Sequence, residues 1–328
     1  MTDFLSLAAG NLLSPMILCF ALGAIAALLR SDLEIPEGAA RALAIYLMFA
    51  IGFKGGTAMQ GAAGGTVALG MFAALALSFA QPLLAFLLLR GLWRLDRLNA
   101  GAIAAHYGSV SVVTFVTAAE FLRSRDIAFE GHLVAMLALM ETPAIISGLL
   151  LAGAARSQHG SASQHERGSF LREVLVNGSV MLLLGGFAIG WITGDAGMVK
   201  VKPFVQDLFN GALCLFLLDM GLVAVRQGRA ARGLKPALLL FGIVMPLLGA
   251  MLGLGLGKLL GLSLGGITLL SVLAASASYI AVPAALRLAL PAANPALSVT
   301  LSLAVTFPFN VAIGLPLYLS AARLVAGD

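Results

Sequence analysis

The sequence predicts an all-α polytopic membrane protein, and three observations carry that prediction. Of 328 residues, 60% are hydrophobic and only 11% are charged. Mean hydropathy is +1.00. A soluble domain carries about a quarter charged residues, so a chain this long and this poor in charge lacks the polar surface to cover a water-exposed core. The apolar residues also gather in runs of about 20, the length a helix needs to cross the hydrocarbon. Within each run they fill every helical face rather than one stripe, and the alternating short segments of a β-barrel are missing. The same hydrophobicity excludes disorder.

Taken in order, the runs give ten candidate spans, at about 12–29, 40–59, 67–90, 99–121, 131–153, 174–193, 204–225, 236–260, 264–288 and 296–322. The opening Met1-Thr2-Asp3 has no basic region, and many apolar runs follow the first, so it reads as a first span rather than a cleaved signal. Thirteen of the 20 basic residues fall in loops 30–41, 90–98, 154–173, 226–235 and 287–295, among them Arg30, Arg90, Arg94, Arg226 and Arg287. By the positive-inside rule those loops face the cytoplasm and both termini lie outside. The net charge of +5 therefore reads as topology and not as nucleic-acid binding, because no basic cluster is interleaved with aromatics. Cys19 and Cys214 sit inside apolar runs and fit no metal or disulfide pattern.

A hydrophilic segment, 155–173, divides the chain into a first unit at 1–154 and a second at 174–328, each with five spans. His159 and His165 within it would need a Cys or carboxylate cluster to complete a metal site, so it reads as a solvated linker. An odd number of spans per half inverts the second half relative to the first, the arrangement of inverted repeats in secondary transporters. Internal similarity agrees. Phe53-Lys54-Gly55-Gly56 parallels Leu218-Asp219-Met220-Gly221. Span 4 carries Ser109, Ser111 and Thr114 at mid-length, and span 9 carries Ser276, Ser278 and Tyr279. Small polar residues clustered there mark places where a helix can break. A break exposes N–H groups and partial positive charge at the half-helix N-terminus, and two such ends would form an anion site at the midplane. The plainer alternative is that these hydroxyls only permit close packing or bond back to their own helix.

Ionisable groups inside spans are functional candidates because they are costly there. Glu141, ahead of Pro143, would bind a coupling cation or carry a proton. Thr306 and Asn310, flanking Pro308 in span 10 with Ser302, offer cation ligands or re-satisfy a Pro-kinked helix. Lys54 and Asp219, at equivalent places in the two halves, are read as a structural ion pair, against independent snorkelling. His106 reads as a neutral core histidine rather than a proton carrier, and Glu120 as reaching water. Gly249, Gly253, Gly257, Gly261 and Gly265 recur every fourth residue, a stripe for close helix packing. They do not make a phosphate loop, since Leu259 stands where Ser or Thr is needed. Metalloprotease and nucleophile-elbow motifs are missing, so the chain is not read as an enzyme. The soluble output domain of a sensor is missing too.

At these residues the chain resembles the SbtA-type sodium-dependent bicarbonate transporter family of bacteria. The likeness runs over almost the whole length. It is most specific at Ser263-Leu264-Gly265-Gly266, Ala274-Ala275-Ser276-Ala277-Ser278, Pro283-Ala284-Ala285-Leu286-Arg287 and Pro291-Ala292-Ala293-Asn294-Pro295, with Gly108-Ser109-Val110-Ser111 and Glu141-Thr142-Pro143-Ala144 in the first half. The resemblance implies ten helices in two inverted five-helix repeats, with helices 4 and 9 broken and crossing. It implies a mobile core of spans 3–5 and 8–10 on a scaffold of spans 1, 2, 6 and 7, and elevator-like uptake of bicarbonate with sodium as coupling ion. It also implies a homotrimer and, in cyanobacteria, a PII-like regulatory partner. Ser111, Thr114, Ser276 and Ser278 would then line the substrate site, with Ser109 and Tyr279 beside them, and no organic cofactor is implied. Two departures stand out. Span 4 reads Ser111-Val112-Val113-Thr114 where the family has Ser-Gly-Ser-Thr, and Tyr279 replaces an aspartate, removing a hard-cation ligand. Alternative functions from the residues alone are a small-carboxylate permease or a proton- or cation-coupled exchanger using Glu141, Asp219 and His106. A membrane-embedded sensor or enzyme ranks below them.

Overall fold

The computed structural model describes residues 2–60, 64–153, 178–230 and 236–327; the linker 155–173, with His159 and His165, lies outside the described residues. The described residues are 84% helical, with no strand among them. The helices are α1 (Thr2–Leu12), α2 (Pro15–Leu28), α3 (Glu37–Ala58), α4 (Gly64–Gly91), α5 (Arg97–Gly108), α6 (Val112–Arg123) and α7 (His132–Ala152). Beyond the linker come α8 (Gly178–Lys202), α9 (Phe209–Ala230), α10 (Pro236–Leu259), α11 (Leu264–Ala275) and α12 (Ala281–Ala289). The last, α13 (Pro295–Ala326), includes two π-helical stretches.

Seven stretches of the described residues are long and apolar enough to cross a bilayer: Glu37–Ala58, Val67–Gly91, Arg97–Arg123, His132–Ala152, Met181–Arg229, Pro236–Leu259 and Pro295–Ala326. Met181–Arg229 holds two helices, α8 and α9, joined by a π-helical turn at Pro203–Asp207. Two further apolar helices, α2 and α11, are shorter. One helix was not foreseen from sequence. α1 precedes the first expected span, and the chain breaks after it at Ser14, whose hydroxyl caps the Ile17 N–H, with Pro15 opening α2. Asn11 then ties α1 to the far end of the chain, donating its amide to the carbonyls of Val311 (2.9 Å) and Ala312 (3.2 Å).

Packing sorts the helices into two groups. In one, α2 lies on α9 and α3 on α8. In the other, α4, α5 and α7 pack together, as do α10, α11 and α13. Glycines set the approach in the first group. A Cβ on Gly56 would meet the Phe187 carbonyl and Trp191 amide of α8; one on Gly221 would meet the Phe20 carbonyl and Ala24 amide of α2. Backbones this close leave no room for a side chain, the contact that small residues permit between membrane helices. In the second group, Gly249, Gly253 and Gly257 of α10 face α11, where a Cβ would meet Ala274, Ser271 and Ile267. The stripe does not continue as one helix face. Gly261 takes a positive φ of 66° in the turn after α10, and Gly265 faces Ala128 instead.

Candidate functional site

Two helical stretches, α5–α6 and α11–α12, are broken at mid-length, where the hydroxyl clusters sit. α5 ends at Gly108 and α6 starts at Val112; Ser109 (φ −88°, ψ 138°) and Ser111 (φ −103°, ψ 112°) between them are extended. α11 ends at Ala275, followed by extended Ser276 (φ −82°, ψ 163°), and α12 starts at Ala281. The two breaks bond to each other. The Ser278 N–H donates to the carbonyls of His106 (2.9 Å) and Ser109 (3.0 Å). The Ser111 N–H donates to the Ser276 hydroxyl at 2.9 Å, and that hydroxyl donates onward to Leu273 at 2.8 Å. His106 Nδ1 lies 2.6 Å from the Ser278 carbonyl. A carbonyl only accepts, so Nδ1 carries the proton in this contact.

A broken helix in a membrane must satisfy the carbonyls that its first half leaves open. Here side chains do so. Asn310 donates to the Ala275 carbonyl at 2.8 Å, and Gln81 to that of Ala274. The Ser78 hydroxyl, 2.6 Å from the Met140 carbonyl of α7, also lies 3.4 Å from the Gly108 carbonyl at the end of α5. The N-terminal ends of the second halves are left more open. Ser111 caps α6 through the Thr114 N–H, whereas no side chain caps α12. Side chains thus cover the open carbonyls of both first halves, while the start of α12 has no side-chain cap.

A small cavity of about 30 Å³ lies against those N-terminal ends. Its wall includes Val110, Ser111, Val112 and Val113 of the first break, Ser278, Tyr279 and Ile280 of the second, and Glu141 of α7; Leu47 of α3 and Phe216 of α9 close it from the other packing group. Its free volume holds a water or two. The Tyr279 hydroxyl is buried with no hydrogen-bond partner among the described residues.

Of the six expected substrate residues, Ser111, Ser278 and Tyr279 line the cavity, while Ser109, Thr114 and Ser276 do not. The Ser109 hydroxyl donates to the Glu141 carbonyl at 3.1 Å, and Thr114 and Ser276 hold the break by the bonds above. Of the three coupling-ion residues, only Glu141 is on the cavity. Thr306 donates to the Gly242 carbonyl and meets the Tyr107 hydroxyl, both at 2.7 Å, and Asn310 accepts from Tyr318 at 2.7 Å. Both belong to the π-helical parts of α13 around Pro308, where side chains replace lost ladder bonds.

The structure does not pair Lys54 with Asp219. Lys54 Nζ lies 3.6 Å from the Phe209 ring centroid. Phe209 and Asp219 are ten residues apart on one helix, about 15 Å along its axis. The ion pair found among the described residues is Arg123 with Glu120, at 3.7 Å. Sequence reasoning missed Ser78 and Gln81. Their signal was two polar side chains three residues apart, ahead of Pro82, in an otherwise apolar run.

An all-helical bundle of apolar helices, in which two broken helices bond to each other beside a small cavity with a mostly apolar wall, has the architecture of a membrane transporter. The chain belongs to the Na+-dependent bicarbonate transporter superfamily, whose family model matches residues 15–323. A comparison with curated proteins gives no match.

Proposed function

We propose that the protein carries a small oxyanion, with bicarbonate as the reference substrate, across a bacterial inner membrane by elevator-like movement. One observation supports this above others: a single cavity touches the first turn of α6, the uncapped start of α12, and the side chains of Ser111, Ser278 and Tyr279. N–H groups and hydroxyls can hold carboxylate-like oxygens there without any covalent step. The cavity lies between the two packing groups, as sliding of one on the other requires.

Ten spans in two inverted repeats is the topology in this proposal, with α5–α6 and α11–α12 as the broken fourth and ninth spans. The glycine contacts support it. Gly56 meets Phe187 and Trp191 four residues apart, and Gly221 meets Phe20 and Ala24 four residues apart, in helices that the inversion makes equivalent. The Arg-rich loops orient α3 with its Glu37 end toward the cytoplasm.

Glu141 is the carboxylate on the cavity and the candidate for coupling, by sodium or by a proton; it also favours the second reading, cation- or proton-coupled exchange. Uptake of labelled bicarbonate into proteoliposomes, with and without an inward sodium gradient, tests both. Sodium-driven accumulation that is lost in Glu141→Gln supports the proposal. Cation flux that needs no anion would replace it with the exchanger.

A further inference from the structure

A second cavity, polar and of about 570 Å³, opens where α3, α6 and α8 end and α9 begins, the end of the bundle away from the Arg-rich loops. Its wall includes Lys54, Glu120, Arg123, Asp195 and Asn210. The charges are not equivalent. Glu120 is buried and committed to Arg123, whereas Asp195 is exposed to solvent at the rim. Lys54 is half-buried; its ammonium rests on the Phe209 ring and has no carboxylate within ion-pair distance among the described residues. A cation site is disfavoured, since no group of three His, Cys, Asp or Glu side chains gathers among the described residues.

This vestibule stands directly over the central cavity. Leu47 and Lys54 on α3, Val113 and Glu120 on α6, and Phe216 and Asn210 on α9 line the lower and upper cavities respectively. Each pair is separated by six or seven residues, about 10 Å along the helix. Between the levels, Ile51 and Leu213 are fully buried. We propose that the vestibule is an anion-docking site in which Lys54, with the Asn210 amide beside it, holds a small oxyanion one step above the central cavity. An ammonium on an aromatic face does not use all three of its N–H donors on the ring, so a donor remains for a ligand in the open volume. The Lys54 ammonium, outside ion-pair distance of any carboxylate among the described residues, attracts an anion before the apolar layer opens.

The test reads the vestibule independently of transport, so its failure would leave the central-site reading intact. Ala58, exposed on the vestibule wall, is changed to Cys in full-length protein carrying Cys19→Ser and Cys214→Ser. Its reaction rates with anionic and cationic methanethiosulfonates are compared, with and without bicarbonate. The expected result is a preference for the anionic reagent that falls on the order of tenfold in Lys54→Gln, survives in Lys54→Arg, and is competed by bicarbonate. Ser278→Ala should leave all of this unchanged. A preference indifferent to Lys54→Gln, or no competition by bicarbonate, overturns the proposal. Competition abolished by Ser278→Ala also overturns it, by placing the anion in the central cavity alone.

Discussion

The Ser278 N–H donates to the Ser109 carbonyl at 3.0 Å, joining two broken helices 169 positions apart in sequence by backbone alone. No side-chain change removes that bond, but the neighbouring one is exposed to mutation. The Ser276 hydroxyl accepts the buried Ser111 N–H. Ser276→Ala would strand that donor, at a cost of roughly 1–3 kcal/mol. A lower apparent unfolding temperature in detergent is expected, with Ser276→Thr recovering most of it. Equal stability of the Ala variant would show that the crossing does not depend on this hydroxyl.

Tyr279 should behave in the opposite way. Its buried hydroxyl has no hydrogen-bond partner among the described residues, so Tyr279→Phe removes no bond and should leave stability unchanged or raise it slightly. The same change takes a donor from the cavity that touches both half-helix starts, and bicarbonate uptake should fall. Stability and uptake measured on one preparation separate the two effects. Full uptake in Tyr279→Phe would remove the hydroxyl from the substrate contact.

The all-helical apolar character and both breaks were legible because their signals are local: apolar runs mark helices, seven of them among the described residues long enough to cross a bilayer, and Ser109, Ser111, Ser276 and Ser278 marked where helices could stop. What each hydroxyl does was not legible. Ser111 and Ser276 look alike in sequence, yet one lines the cavity and the other is consumed by the opposite break. That division depends on how the two breaks meet, through bonds between residues about 165 positions apart that no single span encodes. α1 was missed because its break from α2 rests on one cap, Ser14, and one proline. The Lys54–Asp219 pairing failed on geometry. Lys54 is taken up by the Phe209 ring, ten residues along α9 from Asp219, and similarity of two segments in sequence says nothing about their contact.

Glycine contacts give matched predictions for the two halves. Gly56→Ala and Gly221→Ala would each push a methyl into a facing backbone, and overpacking of this kind costs about 1–3 kcal/mol. Both variants should lose stability to a similar degree if the α3–α8 and α2–α9 contacts are equivalent. Gly185, in the middle of α8, has nothing within 4 Å of an added Cβ. Gly185→Ala should therefore be neutral or stabilising by up to about 1 kcal/mol through helix propensity. Thermal unfolding of the three variants side by side checks the ranking, and a loss at Gly185 equal to that at Gly56 would contradict it.

Asp96, in the loop before α5, yields a pH prediction. Its carboxylate caps the helix through the Asn99 N–H at 2.9 Å and accepts the Asn99 amide at 2.8 Å. Partial burial pushes its pKa upward, but these hydrogen bonds outweigh burial and hold it below the usual carboxylate value. A depressed carboxylate contributes stability that is fully present above the unfolded pKa and is lost as pH falls through the folded one. Asp96→Ala should thus cost about 1 kcal/mol near neutral pH. The gap to the parent protein should narrow below about pH 4, where the unfolded carboxyl titrates. A gap that is constant down to pH 3 would mean that the charge contributes nothing to the cap.

Lys54 and Asp219 allow a decisive exchange. Lys54 rests on Phe209, about 15 Å along α9 from Asp219. At that separation, and with no shared partner, the two substitutions should act independently, with a coupling energy within about 0.5 kcal/mol of zero. Lys54→Asp combined with Asp219→Lys should therefore be as destabilised as the two single changes added together. Phe209→Leu should weaken the parent protein by more than it weakens Lys54→Gln, because only the parent loses a cation–π contact, worth about 0.5–2 kcal/mol. Unfolding temperatures of the four charge combinations and the Phe209 pair decide between the aromatic seat and the ion pair. Recovery in the exchanged double variant would restore the pair and displace Lys54 from the ring.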